Sequence, residues 1–226
     1  MSALIDCSPR RPRSSLSILR ALRDLRGANS EVPMIRLTTP ITESQARSLK
    51  MGDEVLLNGK LVLSRDMGHK YMKEQHPEWL KPILKDMVIY HCGPVVKKNA
   101  DDSWSFVAAG PTTSIREEPY EADVIDTYSV RGVIGKGGMG KKTSEGLQKT
   151  GAVYFHATGG AGSLIAERVK RVVEVHMLEE FGSPEAFWVI EVEDFPVVVT
   201  MDSHGGSLHE QVLATAEERA KALMAK

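Results

Sequence analysis

Residues 110–116, Gly-Pro-Thr-Thr-Ser-Ile-Arg, place three hydroxyl side chains and an arginine where a predicted strand gives way to a predicted helix. Backbone N–H groups at a helix start and a guanidinium that can grip a carboxylate in two places together favour an anion site. Helix capping by Thr112, Thr113 or Ser114 is the alternative interpretation, because hydroxyl residues cap helices routinely.

A glycine-rich segment, residues 135–143, also lies between a predicted strand and a predicted helix. It differs from a nucleotide-binding P-loop, which needs Ser or Thr directly after Gly-Lys to hold magnesium, whereas Lys142 occupies that position and Thr143 is displaced by one. A P-loop-like nucleotide hydrolase therefore remains only as an alternative. The loop would still let backbone approach a ligand and would carry Lys136 as a positive charge.

Arg65 lies just after another predicted strand and could be a second cation for a carboxylate. The alternative is a surface arginine paired with an acid. Asp66 could cap the helix that begins there, and a lone histidine within a helix, His69, is more often structural than catalytic.

The pattern that positions these segments alternates strands and helices from Met34 onward, which predicts one α/β domain over residues 34–226. Asn58-Gly59 between two apolar runs predicts a β-hairpin. Further predicted strands cover 87–91, 104–109, 130–134, 153–156, 171–176, 187–192 and 197–201, and predicted helices cover 66–75, 117–128, 143–150, 159–169 and 207–225. An apolar stripe on the last helix predicts that it covers a sheet.

Residues 1–33 differ from the rest, with six arginines, no lysine and three acids, a net charge of +3 against −4 for the other 193 residues. We predict a basic leader, disordered or a short amphipathic helix, with organelle targeting as the alternative to a cytoplasmic location. The whole chain carries 29 basic and 30 acidic residues, which gives no electrostatic reason to expect nucleic acid. No apolar run approaches the roughly 18 residues that span a membrane.

Four ordered motifs resemble the β subunit of class I, iron–sulfur-dependent fumarate hydratase, or the C-terminal domain of its fused forms, and the related β subunit of L-tartrate dehydratase. They are Gly-Pro-Thr-Thr-Ser-x-Arg at 110–116, Lys-Gly-Gly-Met-Gly at 136–140, Arg65-Asp66 with His69, and Asp-Ser-His-Gly at 202–205. The likeness covers about residues 34–210, and residues 1–33 have no counterpart in it.

The resemblance implies a single three-layer swivelling β/β/α domain with mixed sheets, acting in a hetero-oligomer. A partner α subunit would hold a [4Fe-4S] cluster through three cysteines, which fits the two cysteines of this chain, and this chain would hold no metal. The cluster's free iron would act as a Lewis acid in the reversible hydration of fumarate to (S)-malate. Dehydration of L-tartrate is the alternative reaction, and a non-enzymatic interaction module is a third possibility.

By motif position, the resemblance implies that Arg65, Arg116, Lys136 and Thr113 bind the dicarboxylate. Thr112 would remove the proton from carbon, with Lys136 as the second catalytic residue. A threonine hydroxyl is a very weak base, so it needs a partner that takes its proton, either Lys136 or a group of the α subunit. Three further positions have predicted structural roles. Asp202 and His204 anchor a turn, with substrate contact as the alternative, and Met139 packs against the α subunit.

Overall fold

The structure of the protein is a computed structural model that describes residues 34–224. The predictions for residues 1–33 lie outside the described residues. Within residues 34–224, no helix combines the length and the apolar character that crossing a membrane requires.

The described chain contains nine strands, eight helices and two 3₁₀ turns. The strands are β1 (Ile35–Thr38), β2 (Glu54–Leu63), β3 (Val88–Tyr90), β4 (Val95–Lys98), β5 (Trp104–Ala108), β6 (Gly132–Gly135), β7 (Val153–His156), β8 (Val169–His176) and β9 (Phe187–Met201). The helices are α1 (Glu43–Ser48), α2 (Asp66–Gln75), α3 (Lys81–Leu84), α4 (Glu121–Tyr128), α5 (Lys141–Thr150), α6 (Gly162–Ala166), α7 (Leu178–Phe181) and α8 (Leu208–Met224). The 3₁₀ turns are Glu78–Leu80 and Ser114–Arg116.

Seven strands form one mixed sheet in the order β1-β2-β3-β6-β7-β9-β8. Strands β2, β3, β6 and β7 run parallel, and β9 pairs antiparallel with both β7 and β2, so these five strands close into a ring. Strands β4 and β5 form a separate hairpin. The predicted α/β class with a mixed sheet is confirmed.

Alternate side chains of the ring strands enter two different cores, as the period of two along a strand requires. On β2, Leu61 and Leu63 belong to one buried cluster, which β7 and β9 complete with Phe155 and Trp188. The intervening Val62 belongs to a second cluster, which the apolar faces of α2, α4 and α5 cover. Helices α2, α4 and α5 therefore pack on one side of the sheet, whereas α1 and α6 contribute Ala46, Ile165 and Ala166 to the other core.

The predicted hairpin at Asn58-Gly59 is wrong, because both residues lie inside the continuous strand β2. The pairing of β2 with β9 shifts register between Leu57 and Gly59, which marks a β-bulge. Gly59 has φ +90°, and a Cβ there would lie 2.7 Å from the Thr39 hydroxyl. The glycine thus serves a bulge and a close approach rather than a turn.

The prediction that the C-terminal helix covers the sheet is also wrong. Helix α8 buries none of its residues, and its stripe is exposed at Val212, Leu213 and Leu223 by 60%, 59% and 71%. Helices α2, α4 and α5 already cover the second core cluster. The stripe therefore has no core to join within residues 34–224.

Most other predicted elements are confirmed with shifted ends. Strand β9 joins the two predicted strands 187–192 and 197–201 into one. The helix predicted to start at 117 begins at Glu121, after the 3₁₀ turn. As a result, Arg116 does not lie at a helix start, and no helix dipole favours an anion beside it.

Candidate active site

The carboxyl ends of the parallel strands bring two of the predicted site segments, together with His91, to one edge of the sheet. Arg65 follows β2, His91 follows β3 and Lys136 follows β6. Because β2, β3 and β6 are parallel neighbours, these residues leave the sheet on the same side. Ligands of α/β proteins commonly bind outside this edge.

The Thr112–Ser114 segment is fixed between two of these strand ends by backbone hydrogen bonds. The N–H of Thr112 donates to the carbonyl of His91 (2.7 Å), and the N–H of Lys136 donates to the carbonyl of Thr112 (3.2 Å). The N–H of Ser114 donates in turn to the carbonyl of Lys136 (3.0 Å). The N–H groups of Thr112, Ser114 and Lys136 are therefore occupied and cannot bind an anion, and Thr113 makes no side-chain capping bond.

Both predicted arginines are ion-paired with carboxylates of the chain. Arg116, whose side chain is 53% exposed, pairs with Asp66, the residue next to Arg65. Arg65 Nη1 lies 3.3 Å from Glu185 Oε1, and its Nε is buried without a hydrogen-bond partner in the described chain. The two guanidinium groups therefore lie on neighbouring segments, each opposite one acid.

Gly93 makes room for Arg65. A Cβ at Gly93 would lie 2.5 Å from Arg65 Nη1, 2.8 Å from its Cδ and 2.8 Å from the backbone oxygen of Pro184. Any side chain at position 93 must therefore displace the arginine or the backbone of the 184 loop.

Of the three predicted site cations, Lys136 is the one that has no counter-ion in the described part of the chain. Its ammonium makes neither an ion pair nor a side-chain hydrogen bond there, and its stem passes Gly159. The hydroxyl of Thr112, half-buried beside it, likewise makes no hydrogen bond within residues 34–224. The structure thus brings Arg65, Thr112, Thr113, Arg116 and Lys136 into one region, and their individual roles stay predictions.

Beneath this region lies a buried polar cluster that the sequence did not reveal. His91 Nε2 lies 2.9 Å from Glu121 Oε2, and His69 Nε2 lies 3.1 Å from the same oxygen, off the direction of a hydrogen bond. On its other side, His91 Nδ1 lies 2.9 Å from the hydroxyl of Ser114, which accepts a hydrogen bond from Tyr154 (2.8 Å). We call His69, His91 and Glu121 the His–Glu–His cluster.

The protonation states of these three side chains follow from their burial and from their contacts with one another. Burial alone would raise the pKa of Glu121, but the two histidines lower it to about 2, so it is a carboxylate. Burial would lower the pKa of His69, yet the Glu121 charge raises it above its ordinary value. The pKa of His91 is lowered by burial despite the same carboxylate. The cluster therefore holds one buried ion pair, His69 with Glu121, and a neutral His91.

Glu117 is a second buried carboxyl next to this cluster, and neither of its oxygens has a hydrogen-bond partner within the described chain. Burial raises its pKa to about 7, helped by Glu121 and opposed by the charges of His69, Arg116 and Arg65. No sequence signal distinguishes it from Glu118, which follows it.

Residues 15–212 match the sequence profile of the family described as "Fumarase C-terminus". The chain belongs to this family. A Geobacillus stearothermophilus protein named "Putative fumarate hydratase class I" is 47% identical over 86% of this chain, which spans 37% of that protein's length. The match to the family extends into residues 1–33, for which sequence analysis found no counterpart.

Two shorter relatives carry the other name suggested by the motifs. The "Putative L(+)-tartrate dehydratase subunit beta" of Methanocaldococcus jannaschii is 41% identical over 81% of this chain and 95% of its own length. The "L(+)-tartrate dehydratase subunit beta" of Escherichia coli K12 is 41% identical over 76% of this chain and 85% of its own length. The predicted resemblance to fumarate hydratase and tartrate dehydratase β subunits is confirmed.

In this family member the glycine loop does not form a phosphate site. The carboxylate of Glu118 accepts hydrogen bonds from the N–H groups of Gly140 (2.7 Å), Lys142 (3.0 Å) and Thr143 (3.3 Å). It also accepts one from the Thr143 hydroxyl (2.7 Å). An internal carboxylate thus occupies the start of α5, where a P-loop would bind phosphate. This contact argues against the nucleotide-hydrolase alternative.

Three remaining predictions concern residues away from the cations. Asp202 anchors its turn as predicted, accepting hydrogen bonds from the N–H groups of Met51, His204 and Gly206. His204 Nε2 donates to the backbone oxygen of Arg47 (2.8 Å). The prediction that Met139 faces a partner is wrong, because Met139 is buried in the chain's own second core cluster.

The described residues do not fit an iron–sulfur cluster. Cys92 is the one cysteine among them, and it is buried with its pKa raised by burial to about 12, so it remains a thiol rather than a thiolate. The His–Glu–His cluster offers three metal-ligating atoms within 4.8 Å of one another. Both histidines approach the same carboxylate oxygen, at 2.9 and 3.1 Å.

Proposed function

We propose that this chain is the β subunit of a two-subunit hydro-lyase that adds water reversibly to fumarate, giving (S)-malate. The observation that carries the proposal is the convergence of Arg65, Arg116 and Lys136 beside Thr112 in a member of the fumarase C-terminus family. Relatives that match over most of their length are named β subunits, which supports a partner α subunit.

The cations of this chain would bind the two carboxylates of the substrate. A four-carbon dicarboxylate brings two negative charges into a partly dehydrated site, so it needs several positive groups nearby. Lys136 has no internal counter-ion to displace in the described chain, whereas each arginine must exchange its present acid, Asp66 or Glu185, for a substrate carboxylate. We infer that Lys136 provides the first contact and that the arginines then orient the diacid.

Thr112 would take the proton from carbon. Its backbone is fixed on both sides by His91 and Lys136, so the position of its hydroxyl is set by the sheet edge. Within residues 34–224 no group hydrogen-bonds that hydroxyl. We therefore propose that a group of the α subunit, or Lys136 after movement of its side chain, receives the proton.

The proposed [4Fe-4S] cluster would be held by the α subunit, since Cys92 does not fit its ligation. We also retain as proposals the swivelling three-layer architecture, the hetero-oligomer and the cytoplasmic location.

Dehydration of L-tartrate is a second candidate with equal support, because the relatives that match along most of their own length carry that name. Both substrates are dicarboxylates, so the same three cations serve either one.

The test is steady-state kinetics of the chain co-expressed anaerobically with its α subunit. Fumarate is followed by its ultraviolet absorbance, and L-tartrate by the oxaloacetate that it yields. We expect no turnover by the chain alone, and turnover of fumarate with the higher kcat/KM by the pair. A higher kcat/KM for L-tartrate would select the second candidate, and turnover of neither substrate would refute both.

A further inference from the structure

The side chains of the His–Glu–His cluster contact two of the segments that carry predicted site residues, the Arg65 segment and the Thr112–Arg116 segment. His69 Nδ1 lies 2.9 Å from the carbonyl oxygen of Arg65, so it donates to the backbone of that arginine. The carbonyl of His91 accepts the N–H of Thr112, and its ring reaches Ser114.

Lys136 is connected to the same cluster through its neighbours. Its N–H and carbonyl are bonded to the Thr112–Ser114 segment, which His91 contacts. Gly135, directly before it, allows the Ser114 side chain to approach, since a Cβ at Gly135 would lie 1.8 Å from the Ser114 hydroxyl oxygen. The cluster thus joins the strand ends of β2, β3 and β6 under the site.

The His–Glu–His cluster is not the arrangement that would give this part of the core the greatest folding stability. His69, His91 and Glu121 are fully buried, and Glu121 Oε1 and His69 Nε2 have no hydrogen-bond partner within the described chain. Buried ion pairs that leave polar atoms unsatisfied contribute less stability than apolar residues of the same volume. A role in fixing the relative positions of two segments explains why polar groups occupy this place.

We propose that the His–Glu–His cluster is a positioning device, in which Glu121 couples the Arg65 segment, through His69, to the Thr112–Arg116 segment, through His91. This inference rests on the proposed function for its kinetic consequence. The carboxylate is the central member because each histidine contacts a different segment and both contact Glu121.

The test compares Glu121→Gln with a matched control, Asp86→Asn, in the complex with the α subunit. Asp86 Oδ1 accepts a hydrogen bond from Arg131 Nε (3.0 Å). Asp86 precedes β3 and Arg131 precedes β6, so both lie at the edge of the sheet opposite to the candidate site. Asn tolerates the positive φ of 60° at position 86. The control therefore removes a charged pair far from the site.

We expect Glu121→Gln to lower kcat/KM at least about tenfold, through both a lower kcat and a higher KM, because the carboxylate-binding and proton-removing residues lose their relative position. Asp86→Asn should keep both constants within about twofold, at a temperature where both variants are fully folded. Equal kinetics for the two variants would overturn the proposal.

Amide hydrogen exchange of the chain in the same complex provides a readout that does not need activity. In Glu121→Gln, the amides of Thr112, Ser114 and Lys136 should exchange faster, while the amide of Arg131, which donates to the Met87 carbonyl (2.9 Å), should not change. Unchanged or uniformly faster exchange would overturn the positioning role. If the wild-type pair turns over neither substrate, the proposed function fails, and the exchange pattern still decides the positioning role.

Discussion

Replacing Glu117 by glutamine should stabilise the protein, by an amount that grows as the pH rises from about 4.5 to about 7. Glu117 is fully buried, and neither of its oxygens has a hydrogen-bond partner within residues 34–224. Burial raises its pKa from 4.5 to about 7 in the folded protein. The folded state therefore holds this proton more tightly than the unfolded state does.

The sign and size of the effect follow from this difference. Below about pH 4.5 the carboxyl is protonated in both the folded and the unfolded protein, so its raised pKa does not destabilise the fold. Above about pH 7 it is ionised in both states, and the destabilisation reaches its full size. At about 1.4 kcal/mol for each pKa unit, the upper limit is about 3 kcal/mol. Relaxation of neighbouring groups reduces this cost, so we expect Glu117→Gln to gain about 1–3 kcal/mol at about pH 8 and close to nothing at about pH 4.5.

Urea unfolding of the wild type and the variant at both pH values measures this difference. The adjacent Glu118→Gln is the matched control, because its carboxylate accepts the N–H groups at the start of α5. It should lose about 1 kcal/mol of stability at about pH 8. A Glu117→Gln variant less stable than the wild type at this pH, or a difference that does not change with pH, would refute the argument.

The other predictions concern the proposed site. Arg116→Ala and Lys136→Ala should each lower kcat/KM for the dicarboxylate at least about a hundredfold in the complex, with changes below about 1 kcal/mol in unfolding free energy because neither side chain is buried. Unchanged kinetics would remove that residue from the site. Gly93→Ala should raise KM more than it lowers kcat, because the added methyl displaces Arg65, and a KM equal to that of the wild type would contradict the Gly93 argument. Glu118→Ala frees the N–H groups at the start of α5, and we still expect no ATP hydrolysis by the chain, measured as phosphate release. Hydrolysis by this variant would support the P-loop alternative.

Local sequence patterns predicted most of the elements and singled out three segments whose side chains could bind an anion. The pattern of apolar residues predicted most of the strands and helices, because it depends only on neighbours along the chain. The hydroxyl and arginine residues at 110–116 indicated an anion site, and Arg65 and Lys136 supplied the other cations. Parallel strands bring Arg65 and Lys136 to one edge, and backbone hydrogen bonds to His91 and Lys136 hold the 110–116 segment beside them.

Pairing and burial could not be obtained from the sequence, because they depend on contacts between distant residues. Asn58-Gly59 fits a turn locally, and it forms a bulge only because β9 pairs along the whole of β2. Likewise, the stripe of α8 predicts a covered face, but the sheet had already been covered by earlier helices.

Contacts between distant residues also give Glu117 and Glu118 different environments, and they distinguish His69 from an ordinary helical histidine. The two glutamates are adjacent and chemically identical, yet one is buried without a partner and the other accepts the N–H groups of α5. His69, His91 and Glu121 meet only when α2, β3 and α4 pack together. The sequence alone determined which charged groups this protein has; the tertiary structure decided which of them lose water, and that loss sets their charge and their partners.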